Sequence, residues 1–162
     1  MCGFAQNGAV GLALASRDRL ASLAAHWLRV GYAQSNFNSD NCLVGGRTMD
    51  YGPFGFMDKY DPSFAKWVGS GDHFAFAAQP GAALANFRTL AKALLPLFED
   101  DPAPLMAIID GAKSTFADAM AECYGAKLGF ADPGSAAART SWLGLEPLLR
   151  GLDYTIFFRE LG

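Results

Sequence analysis

The segment from Asn36 to Pro62, "NFNSDNCLVGGRTMDYGPFGFMDKYDP", combines acidic and amide side chains with strong turn formers. Asp40 and Asn41 lie before its central glycine pair, and Asp50 lies after it. The "DYGPFGF" that follows places glycine and proline too densely for a regular helix or strand, which predicts a defined loop. Two clusters of oxygen-bearing side chains therefore flank one tight turn.

The stretch between the two clusters predicts a short β-hairpin. Leu43-Val44 and Thr48-Met49 are its strand pieces, and Gly45-Gly46 is its turn. Because the ends of a hairpin are adjacent, we expect the oxygen-bearing side chains of both clusters to lie around one point.

Carboxylate and amide oxygens at one point suit Mg²⁺ or Mn²⁺ better than zinc. Mg²⁺ commonly takes one or two protein ligands and completes its shell with phosphates and water. One further acid can then accept the proton of an incoming hydroxyl, which is the arrangement used in phosphoryl transfer. The alternative is structural, since Asp and Asn before turns often bond their own backbone.

Composition limits the class of protein. The chain has 162 residues, of which 51% are hydrophobic and 13% aromatic, so it suits one domain or a large piece of one and is not disordered. A net charge of −3 offers no basic surface for nucleic acid. Three cysteines without CxxC spacing argue against disulfides and zinc, and we expect a cytoplasmic protein. We find no membrane span and no targeting segment that would support a mitochondrial location.

The remaining sequence predicts a mainly α-helical chain in which the hairpin is the β structure. Ser16 is the expected N-cap of the first helix, Gly31 ends it, and residues 1–19 carry no firm assignment. Apolar residues at helical spacing predict further helices. The predicted helices are Ser16–Arg29, Gly81–Phe98, one that begins within "EDDPAP" and ends before Gly125, Ala136–Arg150 and Tyr154–Leu161.

Several segments of the sequence resemble the selenoprotein O (YdiU) family. They are "NSDNCLVGGRTMDYGPFGFMDKYDP", "FAFAAQP", "LAKALLPLF" and the final "DYTIFFREL". The resemblance runs from about residue 20 to the end of the chain, and its long "DYGPFGF" word is far more specific than a bare DxG. The chain departs from the family at Gln34-Ser35, where the family commonly has His-Gly, and at Ala77-Ala78, where it has Asp-Asn.

The resemblance implies a protein-kinase-like fold and transfer of AMP from ATP to Ser, Thr or Tyr hydroxyls of proteins. By that resemblance, Asp40 is the proton acceptor, and Asn41 and Asp50 hold Mg²⁺ or Mn²⁺. Asp50 also lies against the nucleotide phosphates. Residues 31–56 then correspond to the catalytic and metal-binding loops.

The family's glycine-rich loop, nucleotide-binding Lys and paired Glu have no match in residues 1–19. We therefore expect residues 1–162 to be a single partial domain, the C-terminal lobe without its nucleotide lobe, and to be inactive alone. An exposed apolar face around Leu12, Leu14 and the hairpin should meet the missing lobe or a partner chain. Two alternatives remain open: a non-enzymatic truncated module, and a phosphotransferase that uses the same residues.

Overall fold

A computed structural model of the chain describes residues 2–67, 72–98 and 100–161. It is mostly helical, at 66%, with one two-stranded antiparallel sheet. In the described residues, no helix combines the length and apolarity needed to cross a membrane. The elements are α1 Cys2–Arg29, β1 Tyr32–Ala33, β2 Gly55–Phe56, α2 Gln79–Leu94, α3 Ala103–Lys127, α4 Ala136–Leu145 and α5 Tyr154–Leu161. Short 3₁₀ turns lie at Ser39–Asn41, Asp72–Phe74, Phe76–Ala78, Leu95–Phe98 and Glu146–Leu149.

Helix α1 begins well before the predicted start, so the assignment of Ser16 as its N-cap is wrong. Ser16 is buried inside the helix, and its hydroxyl donates to the Leu12 carbonyl at 2.7 Å. Ala9 and Ala13 extend the apolar stripe of Leu20 and Ala24 at helical spacing and are buried with it. Packing of this extended stripe outweighs the helix cost of the early glycines, about 1 kcal/mol each.

The main core forms where α1, α2 and α3 pack together. Alanines on the buried face of α1 let the helices approach closely, and large side chains from α2 and α3 fill the space between them. The predicted apolar faces of these two helices are therefore confirmed. Their fully or nearly fully buried members include Phe87, Phe98, Leu105, Ala112 and Phe116.

A second apolar cluster joins the C-terminal helices to the loops that follow α1. Tyr154 at the start of α5 is 1% exposed, and its hydroxyl donates to the Leu28 carbonyl at 2.9 Å. Tyr60 packs against it with ring centroids 5.6 Å apart and donates to Glu146 at 2.8 Å. The C-terminal end of α1 is thereby held by the last third of the chain.

The antiparallel pair does not form where the hairpin was predicted. The predicted strand pieces Leu43-Val44 and Thr48-Met49 are not strands. Instead β1 pairs with β2, with Tyr32 opposite Phe56 and Ala33 opposite Gly55. This pair closes the base of one long loop that contains both oxygen clusters, so the ends of the loop are still brought together.

The centre of that loop lies along α1, which explains why it does not pair with itself. The Trp27 indole donates to the Thr48 hydroxyl at 2.9 Å. The predicted glycine turn is present, with the Gly46 amide donating to the Leu43 carbonyl at 2.9 Å. Gly46 has φ +67, and a Cβ at this position would lie 2.6 Å from Arg19 Cβ.

Because of this close approach, we expect alanine substitutions at the two neighbouring glycines to differ in their effect on stability. Gly46→Ala should lower the free energy of unfolding by about 2 kcal/mol or more, since it adds left-handed strain and a clash with α1. Gly45→Ala is the matched control, because nothing lies within 4 Å of a Cβ at that position. Urea unfolding of both variants measures the difference. Equal stability of the two would contradict the seating of this loop on α1.

Candidate functional site

Asp40 and Asn41 lie in the 3₁₀ turn Ser39–Asn41. Asp40 is exposed and Asn41 is half-buried. The Asn38 side-chain amide lies 2.7 Å from Asp40 Oδ1 and donates to it when its nitrogen faces the carboxylate. Asn41 Nδ2 donates to the Asn36 carbonyl at 2.9 Å, and this bond orients the Asn41 side-chain amide.

Helix α2 holds this turn through Asn86. The Asn86 side chain is largely buried, and its Nδ2 donates to the Phe37 carbonyl at 2.9 Å. Its Oδ1 accepts from the Ser39 hydroxyl at 3.0 Å. One buried amide therefore bonds the Phe37 backbone and the Ser39 side chain, the residues on either side of Asn38 and immediately before Asp40.

A second buried amide, Gln79, stands at the start of α2 and is completely inaccessible to solvent. Its Nε2 donates to the Tyr32 carbonyl at 2.8 Å and to the Phe76 carbonyl at 3.2 Å. Its Oε1 accepts from the Gln34 backbone amide at 2.9 Å. Gln79 thus ties α2 to strand β1 and to the residue that follows it.

Asp50 lies on the far side of the loop with an exposed side chain and a left-handed backbone, φ +57. Its carbonyl accepts a hydrogen bond from Gln34 Nε2 at 3.2 Å. A non-glycine residue in this region is uncommon, although Asp and Asn are enriched there. The conformation persists where the surrounding structure over-determines it.

A short chain of hydrogen bonds links the two oxygen clusters. Asn41 Nδ2 bonds the Asn36 carbonyl, the Asn36 amide donates to Gln34 Oε1 at 2.8 Å, and Gln34 Nε2 bonds the Asp50 carbonyl. These contacts place both clusters on one hydrogen-bonded framework. The fixed framework is formed by backbone and buried amides, while the two carboxylates remain exposed.

Tyr32 contributes an unusual buried hydroxyl beside this framework. Its ring packs on Phe54 and Phe56 with centroids 5.8 and 5.4 Å away. The residue is only 4% exposed, so its hydroxyl would be expected to have a hydrogen-bond partner. Among the described residues it has none. Burial, and then the nearby Tyr51 and Asp50, raise the pKa of Tyr32 to about 12, so the group stays a neutral donor at working pH.

The donor set fits a hard cation that is completed by a ligand. In the part of the chain that the structure describes, no group of three or more His, Cys, Asp or Glu is placed to hold a metal ion. Asn41 and Asp50 offer two hard oxygens, as many as Mg²⁺ commonly takes from a protein when phosphates supply the rest. The unpartnered Tyr32 hydroxyl also fits a site that a bound group completes.

A cavity of about 590 Å³ opens next to the Asp40 turn, between that turn and α2. Asn38, Ser39 and His73 supply polar groups to its lining, and small residues of α2 supply much of the rest. The exposed His73 packs against the neighbouring Phe74 ring, with centroids 4.2 Å apart. His26, in contrast, lies on α1, and its Nδ1 is 2.8 Å from the Ser22 carbonyl.

The sequence motifs pointed to Asp40, Asn41 and Asp50 and missed the amides that support them. Gln79 and Asn86 are seven residues apart, two turns of α2, and therefore lie on one face of the helix. That face is otherwise apolar and includes the buried Ala83 and Phe87. Two amides at this spacing within an apolar face were the signal available in the sequence.

Comparison with known proteins identifies the family of this chain. The family model described as "Protein adenylyltransferase SelO" matches residues 16–162, so the chain belongs to that family and the predicted resemblance is confirmed. It is 40% identical over 153 residues to Protein nucleotidyltransferase YdiU of Thioalkalivibrio sulfidiphilus, covering 89% of this chain and 30% of the relative. It is 39% identical over 152 residues to the protein of that name from Rhodopseudomonas palustris, covering 88% and 30%. The chain thus spans about 30% of the length of these curated relatives.

Because Asn86 supports the turn and Asp40 is exposed on it, we expect substitutions at these two residues to differ in their effect on stability. Asn86→Ala should lower the free energy of unfolding by about 1–3 kcal/mol, because it leaves the Phe37 carbonyl and the Ser39 hydroxyl without their partner. Hydrogen exchange of residues 37–41 should become faster. Asp40→Ala is the control and should change stability by less than about 0.5 kcal/mol, since its side chain is exposed. A large loss of stability in the control would mean that Asp40 has a structural role.

Proposed function

We propose that this chain carries the base and metal-binding half of the active site of a protein adenylyltransferase. The observation that carries the proposal is the hydrogen-bonded chain from Asn41 through Asn36 and Gln34 to Asp50. It supports a single site for the two oxygen clusters, and membership of the SelO family supplies the reaction class. We further propose that residues 1–162 form part of the C-terminal lobe of a protein-kinase-like fold.

In the proposed reaction, a Ser, Thr or Tyr hydroxyl of an acceptor protein attacks the α-phosphorus of ATP. The hydroxyl proton passes to Asp40, the bond between the α-phosphorus and the α,β-bridging oxygen breaks, and pyrophosphate leaves. Asp40 suits the base because its side chain is exposed and because the residues immediately before it, Asn38 and Ser39, line the 590 Å³ cavity by which an acceptor side chain could approach.

Asn41 and Asp50 would hold the divalent cation, Mg²⁺ or Mn²⁺. The bound cation would neutralise charge on the phosphates and on the departing pyrophosphate. The role of the protein groups is to hold their oxygens in place before the nucleotide arrives, and the buried amides of Gln34, Gln79 and Asn86 support this preorganisation.

We also propose that the activity belongs to a longer protein. The chain spans about 30% of its curated relatives, and residues 1–19 lack a glycine-rich loop with its Lys and Glu. Large apolar side chains in α1 and in the long loop are exposed, at 42% for Leu12, 36% for Leu14 and 41% for Leu43. These side chains are available to contact a second lobe or a partner chain.

Labelled ATP tests the reaction class. The experiment uses a longer protein that contains this segment and has the length of the curated relatives. Label from the α-phosphate of ATP should reach an acceptor protein, and label from the γ-phosphate should not. Asp40→Ala should reduce transfer by about 10²-fold or more, the usual scale for a positioned base, and should leave Mn²⁺ binding largely intact. Transfer of the γ label instead would favour a phosphotransferase, and near-normal turnover of the variant would remove Asp40 from the mechanism.

The isolated chain should behave differently. Half of a nucleotide cleft offers few contacts, and two side chains hold Mg²⁺ weakly when no phosphate completes its shell. We therefore expect calorimetry of the isolated chain with Mg-ATP to detect weak binding at most, with no transfer. Micromolar affinity together with AMP transfer would contradict the need for a second lobe. Absence of transfer in the longer protein as well would favour a non-enzymatic module.

A further inference from the structure

Gln34 is a completely buried polar residue, and both the oxygen and the nitrogen of its side-chain amide are hydrogen-bonded. Its Oε1 accepts from the Asn36 amide at 2.8 Å, and its Nε2 donates to the Asp50 carbonyl at 3.2 Å. Its own backbone amide is bonded to Gln79. Burial of an amide is costly unless it is hydrogen-bonded, so an apolar residue would fill this space at lower cost if filling were the whole role.

The bond to Asp50 matters because Asp50 is held in a strained conformation. A left-handed backbone is strained for a non-glycine residue, and Asp is among the residues that tolerate it best. Within the described residues, the bond from Gln34 is the hydrogen bond that Asp50 receives. The stabilisation from one hydrogen bond is comparable with this strain, so its loss allows the backbone at Asp50 to relax.

Gln34 also connects Asp50, through hydrogen bonds, to the same helix that supports Asp40. Gln79 at the start of α2 holds Gln34, and Asn86 two turns later holds the turn before Asp40. The position of the exposed Asp50 carboxylate relative to Asp40 is therefore set through α2, and Gln34 is the link that reaches Asp50.

We propose that Gln34 is a positioning residue for Asp50: its side-chain amide holds the Asp50 backbone and thereby sets the affinity of the site for a divalent cation. This inference rests on the proposed metal-binding role of Asp50. It assigns Gln34 no contact with the cation or the nucleotide. Partners that orient metal ligands commonly change metal affinity by about 10–100-fold when they are removed.

The test measures Mn²⁺ affinity on the chain itself, where two protein ligands hold the cation weakly, so the Mn²⁺ titration is carried to saturation of the paramagnetic broadening of the Tyr51 and Gly52 amide signals. Gln34→Met keeps the length of the side chain and removes its donor and acceptor, and it should weaken Mn²⁺ binding by about 10-fold or more. Gln34→His should restore most of the affinity, because neutral imidazole offers one donor and one acceptor. If Gln34→Met does not fold, Gln34→Asn replaces it, because its amide is one methylene too short to reach both partners.

Tyr60→Phe is the matched control for loss of stability alone. It removes a largely buried hydrogen bond, to Glu146, at a position outside this framework. It should lower the melting temperature without changing Mn²⁺ affinity.

The possible results separate this inference from the proposed function. If wild type shows Mn²⁺ broadening that Asp50→Asn abolishes, and Gln34→Met binds as wild type does, the positioning role is overturned and the metal site stands. If Gln34→His binds as weakly as Gln34→Met, the positioning role is overturned as well. If wild type shows no broadening near Asp50, or Asp50→Asn binds equally well, the metal site and the positioning role are both overturned.

Discussion

The site depends on the burial of side-chain amides that must be hydrogen-bonded. Gln34 and Gln79 are completely buried and Asn86 nearly so. An unpaired amide in such surroundings costs about 1–3 kcal/mol, so each of these residues constrains the groups that satisfy it. Most of those groups are backbone atoms of β1 and of the two loop segments that carry the candidate site, and the others are the Phe76 carbonyl and the Ser39 hydroxyl. The irregular segments are therefore held in place although they contain little regular structure of their own.

The helices supply the rigid frame to which these amides are attached. Helix α2 packs against both α1 and α3, which also pack against each other, and the side chains of Gln79 and Asn86 bond the loops. The other side of the long loop is fixed to α1, through the Trp27–Thr48 hydrogen bond and the close approach of Gly46. Asp40 and Asp50 can remain exposed to a ligand because neither of them is required for this packing.

The helical part of the fold could be predicted from apolar periodicity, and the supporting contacts could not. The faces of α2 and α3 were evident in the sequence, whereas the first half of α1 was missed because its glycines suggested a break and its alanines are weakly apolar. The strand pairing was misplaced because Leu43-Val44 and Thr48-Met49 satisfy the local hairpin pattern, whereas in the structure Thr48 bonds Trp27 and Gly46 lies against Arg19 of α1. The motif resemblance indicated Asp40, Asn41 and Asp50. It did not indicate Gln34 and Asn86, because the partners of a buried amide are set by tertiary packing rather than by local sequence.

The central claim is that these amides bring Asn41 and Asp50 to one cation site. Anomalous diffraction from crystals of the chain soaked in Mn²⁺ tests it most directly. The account predicts one manganese peak with an oxygen of Asn41 and an oxygen of Asp50 both at about 2.1 Å. A peak that touches neither residue, or side-chain oxygens that remain more than about 5 Å apart in the presence of bound Mn²⁺, too far to share one cation, would contradict it.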